Sequence, residues 1–224
     1  MASINYKGKE GDDYHKSRHK EIFHNQRLLE DWGDYAAHTY FSNIRDNSKI
    51  LEIGAGTGIN MFSIKNRTQV TIVEPSDFAR SHCESLGLAV FKDISEIEDN
   101  QTYDVIFMRH VLEHLISPDE TLRSVKKKLA PNGVFKVIVP VESGYKKHSK
   151  QDPDHHLYCW NRQTLSNLME SCGYQVTGSS VNFFNGRRLF SGIKKLGGIP
   201  AYALAMKILG TIVRKSEIII EATH

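Results

Sequence analysis

An apolar run, Ile50-Leu51-Glu52-Ile53, breaks directly into Gly54-Ala55-Gly56-Thr57-Gly58, with glycine at alternate positions. The run has the length and composition of a buried strand. The glycine turn lets a ligand approach the backbone closely, because no Cβ stands in the way. A helix starting after Gly58, predicted over 60–65, would also aim its unpaired N–H groups at that ligand.

The rest of the chain repeats the strand-then-helix pattern. Apolar runs at 70–73, 88–91, 103–108 and 134–139 read as strands, the first ended by Glu74-Pro75 and the second by Lys92-Asp93. Helices are predicted over 76–86 and after Ser117, where Ser117 and Glu120 form a capping box and Pro118 takes the first helical position. Leu122, Val125 and Leu129 face inward from that helix. Leu165, Leu168, Met169 and Cys172 mark a last helix closed by Gly173. Before the glycine turn, helices are predicted over 20–31 and 34–45, the second capped by Asp34, with Ala37, Tyr40, Phe41 and Ile44 on one face. Final strands are predicted at 174–184 and 217–222. Such alternation means a parallel, doubly wound α/β sheet with ligands at the carboxyl ends of its strands. The functional candidates are therefore residues 54–58, Glu74, Asp93, 108–114 and 141 onward.

Composition narrows the class. The 224 residues suffice for one large domain, and a net charge of +3 spread along the chain does not argue for nucleic acid. Cys83, Cys159 and Cys172 are scattered and form no metal-ligand spacing, which fits a reducing, cytoplasmic setting. Residues 1–20 are polar and lack a signal peptide's apolar core. The most apolar late stretch, 199–213, is shorter than the ~20 residues of a spanning helix, and Lys207 interrupts it.

The glycine spacing bears on the ligand. A dinucleotide pattern needs its third glycine where Ile59 stands, and no phosphate-binding lysine follows. S-adenosylmethionine has no phosphate and carries an ammonium and a sulfonium. Glu52, costly as an unpartnered core residue, would suit that charge. Glu74 is placed to accept hydrogen bonds from ribose hydroxyls, and Asp93 to accept from the adenine amino group.

In order and spacing, residues 50–58, Val73-Glu74-Pro75-Ser76, Asp93-Ile94, His110-Val111-Leu112-Glu113-His114-Leu115 and Leu129-Ala130-Pro131-Asn132-Gly133-Val134 resemble the class I S-adenosylmethionine-dependent methyltransferases. The resemblance runs over roughly residues 35–180. Through His156-Leu157-Tyr158-Cys159-Trp160 it extends to the subgroup of ubiquinone-biosynthesis O-methyltransferases and sugar and natural-product methyltransferases. It implies a Rossmann-like, doubly wound seven-stranded sheet, mostly parallel with an antiparallel last strand at 216–222. It also implies a helical N-terminal segment and a C-terminal lid insertion. The whole is one domain: 1–45 an N-terminal segment, 46–140 the cofactor half and 141–224 the substrate half with a lid at 182–213. Cofactor contacts follow at Glu52, Gly54, Ala55, Gly56, Gly58, Glu74, Pro75, Asp93 and Ile94. Arg109 joins them from the end of the fourth strand, and Tyr14 and Arg18 from an N-terminal segment that in this family often closes over the cofactor.

Transfer to a hydroxyl benefits from a general base, and histidine suits neutral pH. His156 is the first candidate and His110, directly after the fourth strand, the second. His114, beside Glu113, reads as part of a polar network. Some quinone O-methyltransferases bind a divalent ion in this loop, but His110 replaces their first acidic ligand, so no metal ligand is assigned. The stretch 186–214 reads as a basic face over a core helix, with an amphipathic lid near a membrane surface as the alternative. The function expected is methyl transfer to a small molecule, at a hydroxyl of a sugar or secondary metabolite, by a monomer or homodimer. The alternatives are a quinone or polyprenyl-phenol O-methyltransferase, an amino-sugar N-methyltransferase, or a non-catalytic binding protein of the same fold.

Overall fold

The computed structural model describes residues 6, 8–142, 149, 152, 154–186, 189 and 191–224. Three helices come first, α1 (Gly8–Arg18), α2 (Lys20–His24) and α3 (Gln26–Tyr40). The alternating part follows as β1 (Lys49–Ile53), β2 (Gln69–Val73), α4 (Asp77–Ser85), β3 (Ala89–Phe91), β4 (Tyr103–Arg109), α5 (Pro118–Lys126), β5 (Leu129–Pro140) and α6 (Arg162–Ser171). The chain ends with β6 (Gln175–Phe183), α7 (Ser191–Ile212) and β7 (Ser216–Thr223).

All seven strands form one sheet in the order β3-β2-β1-β4-β5-β7-β6. The first five pair in parallel, and β7 slots antiparallel between β5 and β6. This is the doubly wound architecture expected. The central strands are apolar throughout because both faces are covered. Along β4, Ile106 and Met108 point into a core shared with Leu122 and Val125 of α5 and Leu165 and Met169 of α6. Val105 and Phe107, on the other face, meet Trp32, Tyr35 and Tyr40 of α3 and Tyr202 and Met206 of α7.

Several local expectations are corrected. The two N-terminal helices are not divided at Asp34. Asn25 caps α3 by accepting from the Leu28 N–H at 3.0 Å, and one helix carries Trp32, Tyr35, Ala36 and Tyr40 into the core. Asp34 sits mid-helix and accepts from Ser63 Oγ at 2.6 Å and pairs with Lys194 at 2.7 Å. No α-helix forms over 60–65. Successive turns run there, and the N–H groups of Gly58, Met61, Phe62 and Ile64 go to carbonyls three residues back. The Ser117 side chain makes no cap bond, although Pro118 does open α5. Leu129 is buried from the start of β5 rather than from a helix, and a bulge opposite Tyr103 and Val105 absorbs Pro131-Asn132-Gly133.

The stretch expected as a lid is in part a structural layer. Gly198, at φ +69°, kinks α7, and the following half buries Tyr202 and Met206. Gly210 lies so close to the end of β6 that a Cβ there would stand 2.3 Å from the Phe184 nitrogen.

A buried ion pair joins β4 to β7 across β5. Arg109 donates to Glu217 Oε2 from Nε at 3.1 Å and from Nη2 at 2.9 Å. Tyr40 and Asn182 donate to Oε1, the latter at 2.9 Å. Burial alone would raise the Glu217 pKa, but the Arg109 charge and the hydrogen bonds to His110 and Tyr40 bring it down to about 2. Glu217→Gln leaves the Arg109 charge buried without its partner, so urea denaturation at neutral pH is expected to show a loss of about 3–5 kcal/mol. Because the folded-state pKa is depressed, this contribution is complete above the ordinary glutamate range and is lost as pH falls toward about 2. Between those limits the wild type should lose stability more steeply than the variant.

Candidate active site

The glycine turn and the end of β2 form one edge of the site. Gly54, Gly56 and Gly58 all have positive φ, at 71°, 53° and 67°. Their surroundings differ. A Cβ on Gly58 would stand 3.1 Å from Cys83 Sγ, so this glycine serves packing against α4. Ala55 is buried in the core beside α3. A Cβ on Gly56 would meet only the His15 imidazole, at 3.2 Å, so the backbone there is open except for the N-terminal helix.

Glu74 is locked beneath this turn. Its Oε2 accepts from the Gly56 N–H at 2.8 Å and its Oε1 from the Ser76 N–H at 2.9 Å. Arg80 donates to the carbonyls of Glu74 and Pro75 and fixes the turn that aims the carboxylate. His15 Nε2 lies 3.7 Å from Glu74 Oε1. Asp93, at the end of β3, accepts from the Ser95 N–H at 3.0 Å and from Ser95 Oγ at 2.8 Å. Ile94 is half-buried against the core below it.

Glu52 is fully buried. Its Oε1 accepts from Asn60 Nδ2 at 2.7 Å, and no hydrogen bond reaches its Oε2. Burial pushes its pKa up to about 8, with Asn60 and Arg109 opposing. At neutral pH the carboxyl ionises here only with help from a nearby cation. An orphaned acid oxygen and a turn open at Gly56 fit a compact cationic ligand seated on backbone. S-adenosylmethionine has that chemistry.

The other edge is a histidine cluster beyond β4 and β5. Arg109, expected at the cofactor, is committed to Glu217, with its guanidinium carbon 5.1 Å from the Trp32 ring centre and 5.5 Å from that of Phe184. His110 has a φ of 56° and brings Nε2 to 3.1 Å from Glu217 Oε2. Burial, then the Arg109 charge, lowers its pKa to about 4. His114 Nδ1 lies 2.8 Å from the Tyr6 hydroxyl, and burial followed by the His156 charge lowers its pKa to about 4 as well. Both rings are neutral at pH 7. His156 is arranged differently: its Nδ1 lies 2.6 Å from Glu142 Oε1. An ionised carboxylate at that distance favours the tautomer protonated on Nδ1, with Nε2 left as the acceptor. His114 and His156 stack edge to face, 4.7 Å between centres.

Glu113 lies under this cluster with no exposed surface; among the described residues no hydrogen bond reaches its side-chain oxygens, and His114 Nε2 lies 3.9 Å from Oε1. Burial lifts its pKa to about 8. Ligand atoms of Glu113, His114 and His156 lie within 4.8 Å of one another. His110, turned to Glu217, is not in that set. The Glu113 carbonyl accepts from the Leu157 and Tyr158 N–H groups and so anchors the loop that carries His156.

The N-terminal helix α1 ties the two edges together. Asp12 accepts from Ser76 Oγ at 2.7 Å and the Phe78 N–H at 3.0 Å, pinning α1 to the start of α4. Arg18 pairs with Asp154, and Tyr6 donates to the Asp154 carbonyl at 2.7 Å. Tyr14 packs on the Tyr6 and His15 rings. Arg18 thus reaches the histidine loop, whereas His15 is the residue over the glycine turn. His15, Glu142, Glu217 and Asn60 belong to no sequence motif, and only the folded contacts give them their partners.

The chain resembles known proteins in sequence and in fold. A model described as a methyltransferase domain matches residues 22–178. Ubiquinone biosynthesis O-methyltransferase of Actinobacillus pleuropneumoniae is 37% identical over 101 residues, 39% of this chain and 43% of that relative. The match therefore spans less than half of the curated relative's length. Among solved structures, a chain of the Haloferax volcanii complex between the Trm112 methyltransferase activator and a candidate methyltransferase superposes with a TM-score of 0.66, at 12% identity over 95% of this chain and 96% of that one. Haemonchus contortus phosphoethanolamine N-methyltransferase 2, solved with S-adenosylhomocysteine, gives 0.57 at 14% identity over 95% of this chain and 59% of that one. At these identities the structures show the fold, and the domain match carries the assignment: the chain belongs to the methyltransferase-domain family, within the class I S-adenosylmethionine-dependent methyltransferases.

Proposed function

We propose that the chain methylates a hydroxyl oxygen of a small molecule, a sugar or other secondary metabolite, with His156 as general base. The observation that carries this reading is the 2.6 Å pairing of His156 Nδ1 with Glu142 beside the neutral His114. The cofactor supplies an electrophilic methyl group on a sulfonium. The protein has to align the acceptor oxygen and take its proton. His156 Nε2 accepts that proton, and Glu142 stabilises the resulting imidazolium. His110 has little basicity, with a pKa lowered to about 4, so it serves to shape and orient rather than to deprotonate.

The cofactor roles follow the strand ends. Each Glu74 oxygen already accepts one backbone N–H, and a carboxylate has about four acceptor positions, so two remain for the ribose hydroxyls. His15 shares that carboxylate and must shift or share when the ribose binds. Asp93 faces the adenine end. Glu52, through Asn60, sets the charge beneath the turn.

A second reading is favoured by Glu113. Its buried carboxylate, with His114 and His156, could hold a divalent ion that orients a quinone-type catechol oxygen. The named relative acts in ubiquinone biosynthesis, which makes that acceptor class the natural comparison. Chelator treatment separates the readings: activity insensitive to chelation favours the base, and activity restored by zinc or magnesium favours the ion.

Two outcomes test the main reading. Titration calorimetry should show S-adenosylmethionine binding that weakens by roughly 10–100-fold in Glu74→Ala, the equivalent of lost hydrogen bonds to a charged group. His156→Ala should lower kcat by about 10²–10⁴-fold with cofactor affinity unchanged. Glu142→Gln should give a smaller loss that varies with pH. Full turnover by the His156 variant would remove this residue from the chemistry.

A further inference from the structure

The helix α7 is largely apolar, with Lys194, Lys195 and Lys207 its charged residues. The rest of the chain covers one side, through Tyr202, Met206 and Gly210. The other side presents Leu204, Ile208 and Ile212 at steps of four residues, and Ile212 is 72% exposed. Leu196, in the half before the kink, is 94% exposed, and Leu189 and Val213, just outside the helix, are exposed as well. A row of large exposed aliphatic side chains of this extent marks an interaction surface.

Charge indicates what meets it. Between Phe183 and Ser216 the sequence has seven Lys and Arg and no Asp or Glu. Outside that stretch the chain has 22 basic and 26 acidic residues, so the excess positive charge of the molecule is concentrated here. Lys194 turns inward to Asp31 and Asp34, at 2.7 Å from each. Lys195, Lys207 and Arg214 are exposed alongside the aliphatic residues. A second copy of the chain is a poor occupant. A twofold contact would set this stretch against itself, cation facing cation, with no carboxylate in it to pair.

We propose that the exposed side of α7 docks on an anionic lipid bilayer, lying in the plane of the interface with Leu196, Leu204, Ile208 and Ile212 in the acyl boundary and Lys195, Lys207 and Arg214 at the headgroups. No helix among the described residues is long and apolar enough to cross a membrane, which is consistent with a helix lying on the surface. The docking is independent of which acceptor the active site takes.

Vesicle flotation tests it, using liposomes of equal parts phosphatidylglycerol and phosphatidylcholine against phosphatidylcholine alone. The wild type should float with the anionic vesicles, less so as salt is raised, and stay in solution with the zwitterionic ones. The triple variant Leu204→Gln, Ile208→Gln, Ile212→Gln should lose partitioning by roughly tenfold or more. Lys195→Glu with Lys207→Glu should do likewise. Circular dichroism and S-adenosylmethionine binding should match the wild type in both variants. The proposal is overturned if the wild type stays in solution with both vesicle types, or if the folded triple variant floats as well as the wild type. It is also overturned if sedimentation shows a wild-type dimer that the triple variant breaks, without vesicle binding by either.

Discussion

The ion pair between Arg109 and Glu217 is the contact through which the two halves of this molecule are registered. Desolvating a guanidinium and a carboxylate is expensive, and the pair alone need not return that cost. Here the environment does. Trp32, Tyr40 and Phe184 ring the guanidinium, and Tyr40 and Asn182 satisfy the second carboxylate oxygen. The residues involved come from α3, β4, β6 and β7, together with Phe184 just beyond β6. His110 follows Arg109 directly and is held by the same carboxylate, so its position follows from that of the ion pair. This explains the positive φ at His110. The backbone turns sharply so that consecutive side chains can both reach Glu217.

The site is also organised by buried acids that differ in how they are neutralised. Glu217 stays ionised beside an arginine. Glu74 is stabilised by two backbone N–H groups. Glu52 and Glu113 have too few partners, and burial raises both to about 8. Two of these carboxyls are thus complete within the protein, and two are left dependent on a proton or on a cation from outside. The unfinished pair lie below the glycine turn, in the case of Glu52, and below the histidine cluster, in the case of Glu113.

The sheet was legible in the sequence because its signals are local. Each strand is an apolar run ended by a polar or turn-forming residue, and strand ends locate Glu74, Asp93 and His110 without reference to the rest of the chain. Elements that depend on partners were not legible. Asp34 reads as a cap, but Ser63 and Lys194 supply its hydrogen bonds from elsewhere, and Asn25 caps the longer helix. Arg109 sits at a strand end like the cofactor residues, yet a carboxylate 108 positions later decides where it points. Glu142 has no motif at all. Its place is evident only once the loop anchored by the Glu113 carbonyl brings His156 against it. Tyr6 and His15 look like solvated tail until Asp12 and Arg18 are seen to pin α1 across the site.

The glycine turn shows most clearly how spacing becomes chemistry. The third glycine of a dinucleotide turn lets a helix begin close to the strand and direct its N–H groups at a pyrophosphate. In this chain the third glycine arrives one residue sooner, and Ile59, in the position that pattern reserves for glycine, is buried in the core. A helix cannot start cleanly there. Gly58 is occupied with packing on Cys83, and the turns that follow use their own N–H groups internally. The N–H groups of Gly58, Met61, Phe62, Ile64 and Lys65 are taken up inside the turns. What remains at the turn is an open backbone at Gly56, a fixed carboxylate on one side and an unsatisfied carboxyl below. That surface attracts hydroxyls and positive charge and has little to offer a phosphate. The one-residue shift therefore changes the sign of the ligand as well as the shape of the loop.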